Sequence, residues 1–164
     1  TVTGVQTCAL PICQCGCGKK GCLEQYCSAT GLVKTYFEIL KSENPNALAE
    51  IDTDTIDAEY IYNKAMAGDA NAFYAFNYTG ELLGYALANC VTFTSPEAIF
   101  LFGGLAQAGE LIFNPTILSF EKNLLPLYKI NNVKILPSSI HEDDAAILGA
   151  ASLAWQGEDK NKKL

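Results

Sequence analysis

The residues of this chain best suited to chemistry are its cysteines. Cys15, Cys17 and Cys22 fall within eight residues and are interleaved with Gly16, Gly18 and Gly21, so a tight loop can bring three thiols together. Zinc takes about four soft or borderline ligands at tetrahedral corners, and such a loop supplies three of them; the competing reading is three small buried hydrophobes. Lys19 and Lys20, inside the loop, favour the thiolate form. Cys13 extends the run and is either a fourth ligand or a spare surface thiol, whereas Cys27 and Cys90 read as packing residues. Six of the seven cysteines lie between Cys8 and Cys27, a clustering that points to metal binding and not to disulfide stapling. The acid pairs Asp52 with Asp54 and Asp143 with Asp144 read as caps and solvated turns. His141, the one histidine, is a distant ligand, a pH switch or, beside Glu142 and Asp143, a solvated loop residue.

The elements that position the cysteine loop can be followed along the chain. Apolar residues at helical spacing predict a helix over 23–41, stopped by Ser42-Glu43-Asn44-Pro45. Asp57 is the expected N-cap of a helix over 58–67 and Gly68 its stop, with Asp69 capping a long helix over 70–92. Ala98-Ile99-Phe100-Leu101-Phe102 is a continuous apolar run bounded by Gly103-Gly104, the mark of a strand covered on both faces. Asn114-Pro115 predicts a helix start running to about Leu127, Val133 to Leu136 a second strand, and Asp143 to Ala154 a closing helix. Residues 156–164 form a polar, lysine-rich tail expected to fray. Strands alternating with helices make this an α/β domain.

Composition removes several function classes. The chain has 164 residues, 49% of them hydrophobic, enough for a real core and too apolar for overall disorder. A formal net charge of -7 disfavours a sequence-independent grip on a nucleic-acid backbone. The most apolar stretch, Ala98 to Phe113, is broken by Gln107, Glu110 and three glycines, so no membrane span and a soluble, cytoplasmic chain are expected. Residues 2–12 resemble, through eleven consecutive positions, the translation of a common short-read sequencing adapter. Residues 1–12 are therefore expected to be artefactual and to pack little, with the natural domain running over 13–155.

The order Cys15-Gly16-Cys17-Gly18-Lys19-Lys20-Gly21-Cys22-Leu23-Glu24, followed by Gln25-Tyr26-Cys27-Ser28-Ala29-Thr30-Gly31, resembles the signature of the ROK family (repressors, open reading frames and kinases), in its glucokinase-like form. Ala67-Gly68-Asp69, Ser95-Pro96-Glu97, Gly103-Gly104, Ala108-Gly109 and Leu148-Gly149-Ala150-Ala151 agree in order. The resemblance implies an actin-like ATPase (ribonuclease H-like) α/β domain, the C-terminal half of a two-domain sugar kinase, with Ala98–Phe102 as a central strand. It implies a structural zinc on Cys15, Cys17 and Cys22 within a loop over 13–24, the family's fourth ligand being a histidine that would fall in the adapter-like segment. It implies that Glu24 accepts hydrogen bonds from sugar hydroxyls, against a plain first-turn carboxylate, and that Gly103 and Gly104 lie against the adenosine of ATP, against an ordinary strand-ending turn. The family's phosphate loop and catalytic aspartate are not found between residues 13 and 164, so no catalytic residue is assigned.

Three functions are thus expected in order. The first is part of an ATP- and Mg2+-dependent hexose kinase acting on glucose, homo-oligomeric when intact and inactive as it stands. The second is the sugar-sensing domain of a ROK transcriptional repressor, which an upstream helix-turn-helix would reveal. The third is a small zinc-binding structural module unrelated to sugars.

Overall fold

The computed structural model describes residues 14–45, 53–129, 132–140 and 142–161. Helix α1 (Ala29–Glu43) is followed by α2 (Ala58–Met66) and the long α3 (Ala70–Thr94), then strand β1 (Ala98–Leu101). Helices α4 (Glu110–Asn123) and α5 (Pro126–Lys129) lead to strand β2 (Lys134–Pro137) and the closing α6 (Glu142–Asn161). Among the described residues no helix is long and apolar enough to cross a membrane.

Side-chain caps place the helix starts. Ser28 Oγ accepts from Gly31 N at α1, and Asp57 Oδ1 accepts from Tyr60 N at α2. Asp69 Oδ1 accepts from both Asn71 N and Ala72 N at 2.9 Å, starting α3 two residues after α2 has ended at Ala67-Gly68. The core has two parts. Leu32 and Tyr36 of α1, Ile61 of α2, Phe76 of α3 and Ile112 of α4 form one. The second joins Ala88 and Val91 of α3 and Phe120 of α4 to Ile99, Leu101 and Ile135, so the C-terminal half of α3 packs on the sheet as expected.

The α3–α4 contact is unusually close. A Cβ on Gly80 would lie 2.6 Å from Pro115 Cγ, and one on Gly84 2.3 Å from the Thr116 carbonyl oxygen, so only glycine lets the two helices meet here. Ser119 Oγ donates to Glu81 O across this contact, and Tyr128 Oη donates to Thr92 O near its end.

Several sequence-based boundaries are corrected. Leu23–Gln25 is a 3-10 turn and α1 begins only at Ala29, because Ser28 caps there and the preceding loop holds residues 22–27 in a different path. Helix α4 begins at Glu110, not at Asn114-Pro115, since Gly109 at φ 57° turns the chain into it. Pro115 is tolerated inside α4 with its ring seated over Gly80. Helix α6 continues through Asn161, beyond the end at Ala154 expected from sequence.

The largest correction concerns β1. It pairs in parallel with β2, Ile99 opposite Ile135 and Phe100 opposite Leu136, and the described sheet has these two strands alone. Each strand therefore keeps one open edge, and Phe100 is 64% exposed. An unbroken apolar run reports the surroundings for which a strand is suited; here α3 and α4 pack against Ile99, Leu101 and Ile135, while Phe100 stands exposed.

Candidate functional site

The cysteine loop is built by backbone hydrogen bonds around small residues. Gln14 and Lys20 form an antiparallel bridge, Cys15 N donates to Lys19 O at 2.8 Å, and Gly18 N donates to Cys15 O at 2.9 Å. Gly18 and Gly21 take positive φ, 83° and 73°, which turns the chain back twice within four residues. Gln25 N then donates to Cys22 O and Cys27 N to Leu23 O, forming the 3-10 turn that carries Glu24. Cys27 Sγ donates to Thr79 O at 3.7 Å, and Lys34 Nζ donates to Gln25 Oε1, so the turn is tied to α3 and to α1.

Three sulfurs converge. Those of Cys15, Cys17 and Cys22 all lie within 4.8 Å of one another, and the Cys17–Cys22 separation is 3.5 Å. Zinc bound at about 2.3 Å to each thiolate sets sulfurs about 3.8 Å apart, so the donor set and its spacing fit a thiolate metal site. Cys15 is buried, Cys22 half-buried and Cys17 exposed. The Lys19 backbone, then the Cys15 and Cys22 thiols, hydrogen-bond Cys17 and lower its thiol pKa. Cys22 is pushed up to about 11, first by its hydrogen bonds to Cys17 and Cys15 and then by burial. Burial alone pushes Cys27 up to about 12, the behaviour of an inert packing thiol. Cys90, also expected to pack, is exposed on the outer face of α3, a correction to the sequence reading. Cys13 and His141 lie outside the described residues, as does Asp52.

Glu24 is exposed, and its Oε2 accepts from Cys15 Sγ at 3.5 Å. That contact, between residues nine apart, had no signal in the local pattern. Gly103 and Gly104 lie at the C-terminal end of β1, and Gly104 shares a hollow with Ala29 and Leu32 of α1. Gly103 has φ 102°, a conformation that favours glycine, and a Cβ on either residue would meet nothing within 4 Å. Two hollows flank the pair. One, of about 570 Å³, is bordered by Asp57, Tyr62, Asn63, Phe76, Gly104 and Gln107. The other, of about 480 Å³, is bordered by Phe102, Gly103, Gln107, Ser138 and Ser139 beyond the ends of both strands, where open α/β sheets take ligands. Glu24 lines neither hollow. The polar residues Asn63, Gln107, Ser138 and Ser139 were not singled out from sequence, since nothing in their spacing marks them.

Comparisons with known proteins agree on one family. The family model described as ROK family matches residues 8–157. The chain is 31% identical over 152 residues to a glucokinase of Halalkalibacterium halodurans, covering 91% of this chain and 45% of that protein. It is 32% identical over 143 residues to an N-acetyl-D-glucosamine kinase of Aliivibrio fischeri, covering 87% and 42%. Among solved structures it resembles a ROK family glucokinase from Streptomyces griseus in complex with glucose and AMPPNP, with TM-score 0.70 and 29% identity over 87% of this chain and 47% of that one. A ROK family transcriptional regulator, a homologue of the E. coli MLC protein, gives TM-score 0.63 and 26% identity over 79% and 32%. The chain thus spans less than half the length of the curated relatives it matches.

Proposed function

The chain belongs to the ROK family, and from that premise we propose that it is the C-terminal half of an ATP-dependent hexose kinase with an actin-like fold, acting on glucose. The observation that carries this reading is the likeness, at TM-score 0.70, to a glucokinase whose structure holds glucose and AMPPNP. The order of the cysteine loop, Glu24 and the glycine pair supports it. On this reading residues 1–12 are adapter-derived and the domain runs over 13–155. The intact enzyme is cytoplasmic and homo-oligomeric.

Each residue then has a task. Cys15, Cys17 and Cys22 hold a zinc ion that, when bound, fixes the loop. The 3-10 turn carries that rigidity two residues on to Glu24, whose carboxylate accepts hydrogen bonds from sugar hydroxyls. Gly103 and Gly104 let adenosine approach the backbone at the end of β1, and the free space beside both is what such an approach needs. Phosphoryl transfer also needs positioned phosphates, Mg2+ to neutralise them and a base for the attacking hydroxyl. No residue of this chain is assigned as that base, so the half performs binding and positioning.

The test is a pair of substitutions in the enzyme restored upstream of Cys13. Glu24→Ala should raise the KM for glucose at least tenfold with little change for ATP, and Gly103→Val the reverse; unchanged sugar dependence in Glu24→Ala would refute its role. A second reading, the sugar-sensing domain of a repressor, is favoured by the likeness to the ROK transcriptional regulator. A helix-turn-helix upstream of Cys13 would decide for it.

A further inference from the structure

The cysteine loop also holds a thiol pair set for a covalent step that metal binding does not use. We propose that Cys17 and Cys22 are a redox pair: hydrogen peroxide joins them in a reversible disulfide, and the joined loop no longer holds the metal. The loss of metal rests on the reading of Cys15, Cys17 and Cys22 as a metal site; the disulfide itself does not. The two sulfurs stand 3.5 Å apart, against about 2.05 Å in the bond. Cys17 is exposed, so a small oxidant reaches it from solvent, and Cys22 is half-buried beside it. Cys15 lies within 4.8 Å of both sulfurs but is buried, with its thiol donating to Glu24 Oε2 at 3.5 Å. Cys27 is outside the cluster, its thiol donating to Thr79 O on α3.

Backbone geometry brings the pair together and leaves it room to close. Gly18 and Gly21, at φ 83° and 73°, turn the chain back between the two cysteines, and the Gln14–Lys20 bridge fixes the base of that turn. A Cβ on Gly16 or Gly18, on either side of Cys17, would meet nothing within 4 Å, so side-chain rotation can supply the remaining approach of about 1.5 Å. In the first step Cys17 Sγ attacks one oxygen of the peroxide; the O–O bond breaks, and the departing hydroxide takes the thiol proton and leaves as water. Cys17 is then a sulfenic acid. Cys22 Sγ attacks its sulfur, the S–O bond breaks, and hydroxide leaves with the Cys22 proton as a second water. The two thiols lose two electrons and the peroxide gains them. A disulfide sulfur has given up the thiolate charge with which it binds zinc, so Cys15 alone remains of the three ligands and the metal is released. A thiol reductant reverses the step and restores the set.

The experiment uses the full chain in two forms, one stripped by a chelator and one loaded with zinc, each treated with equimolar hydrogen peroxide. Free thiols are then alkylated and the chain is digested with trypsin without reduction. Lys19 and Lys20 separate the two cysteines, so their disulfide is read by mass spectrometry as a linked pair of peptides that dithiothreitol parts, with fragment ions assigning the sulfurs. In the unsubstituted stripped chain, which requires no variant to fold, Cys17–Cys22 should be the main link. In the loaded chain one zinc, read with a chromophoric chelator, should be lost for each link formed. Cys22→Ser should leave Cys17 as a sulfenic acid that dimedone traps, while Cys90→Ser should change nothing. Links from Cys13 or Cys15 in excess of Cys17–Cys22, or oxidation of Cys17 to the sulfinic acid with no link, would overturn the proposal. Links formed while zinc stays bound would overturn the release of metal. A chain that forms the link but binds no zinc would overturn the metal reading and the release together, and leave the redox pair standing.

Discussion

Gly84→Ala isolates the contact that joins the two halves of the core. The new Cβ would lie 2.3 Å from the Thr116 carbonyl oxygen, 2.7 Å from Phe120 N and 2.8 Å from Ser119 Cβ. Two of those three atoms are backbone, so no rotamer change relieves the clash and α3 and α4 must part by about 1 Å, enough to forfeit a quarter to a half of the dispersion energy along the seam. Overpacking of this kind costs about 1–3 kcal/mol, and alanine in a helix interior recovers about 1 kcal/mol over glycine. Since the obstruction is backbone, the upper part of that range applies and the net loss is about 1–2 kcal/mol. In a domain of this size that lowers Tm by about 2–8 °C. Gly149→Ala in α6 is the control: its Cβ would meet nothing within 4 Å, so only the helix-propensity gain of about 0.5–1 kcal/mol remains and Tm should rise slightly. Thermal melts followed by far-ultraviolet circular dichroism, repeated at several protein concentrations, measure both. A Gly84→Ala variant as stable as Gly149→Ala would refute the close packing of α3 on α4.

Two further outcomes follow from the caps and the thiols. Asp69→Ala removes a carboxylate oxygen that accepts two backbone N–H groups at the start of α3 and should cost about 1 kcal/mol by urea unfolding; no change would mean that water replaces the cap. In the metal-free chain, iodoacetamide at pH 8 should label Cys17 ahead of Cys22 and Cys27, because its lowered pKa leaves a larger thiolate fraction there. Cys22 at about 11 should follow slowly and Cys27 at about 12 should lag furthest, as read by mass spectrometry of the labelled peptides. Labelling of Cys27 ahead of Cys17 would contradict the burial of that turn.

What could be read from sequence was local chemistry. Asp57 and Asp69 cap the helices they were expected to cap, because a side-chain oxygen beside a free N–H is a contact between near neighbours. The Cys15–Cys22 loop was legible for the same reason: closely spaced thiols with intervening glycines have few places to go. The start of α1 was not, since Leu23 continues the helical apolar spacing while the loop behind it diverts the chain into a 3-10 turn. Helix α4 was placed too late because Asn114-Pro115 has good first-turn chemistry, and the turn at Gly109 that overrides it is a backbone property. The exposure of Phe100 and of Leu153 and Trp155 in α6 has a different origin. Those residues are apolar enough for an interior yet stand exposed, so apolarity along the chain does not by itself report what packs on a residue. The Cys15–Glu24 contact depends on how the turn sets a side chain in space, which pairwise spacing along the chain does not encode.

On the proposed function, this chain supplies the binding and positioning half of a ROK sugar kinase and not its phosphoryl-transfer chemistry. A coupled assay for glucose 6-phosphate, run with ATP, Mg2+ and glucose on the chain as it stands and on the same protein restored upstream of Cys13, tests both parts at once. The expected result is turnover by the restored protein and none above background by the present chain, because catalysis of this kind is chiefly positioning plus a base and half a cleft supplies neither in full. Turnover by the present chain near the rate of the restored protein would place catalytic residues within 13–164 and make Asp52, Asp54, Asp143 and His141 the first to substitute. No turnover by the restored protein on any hexose would contradict the kinase reading itself.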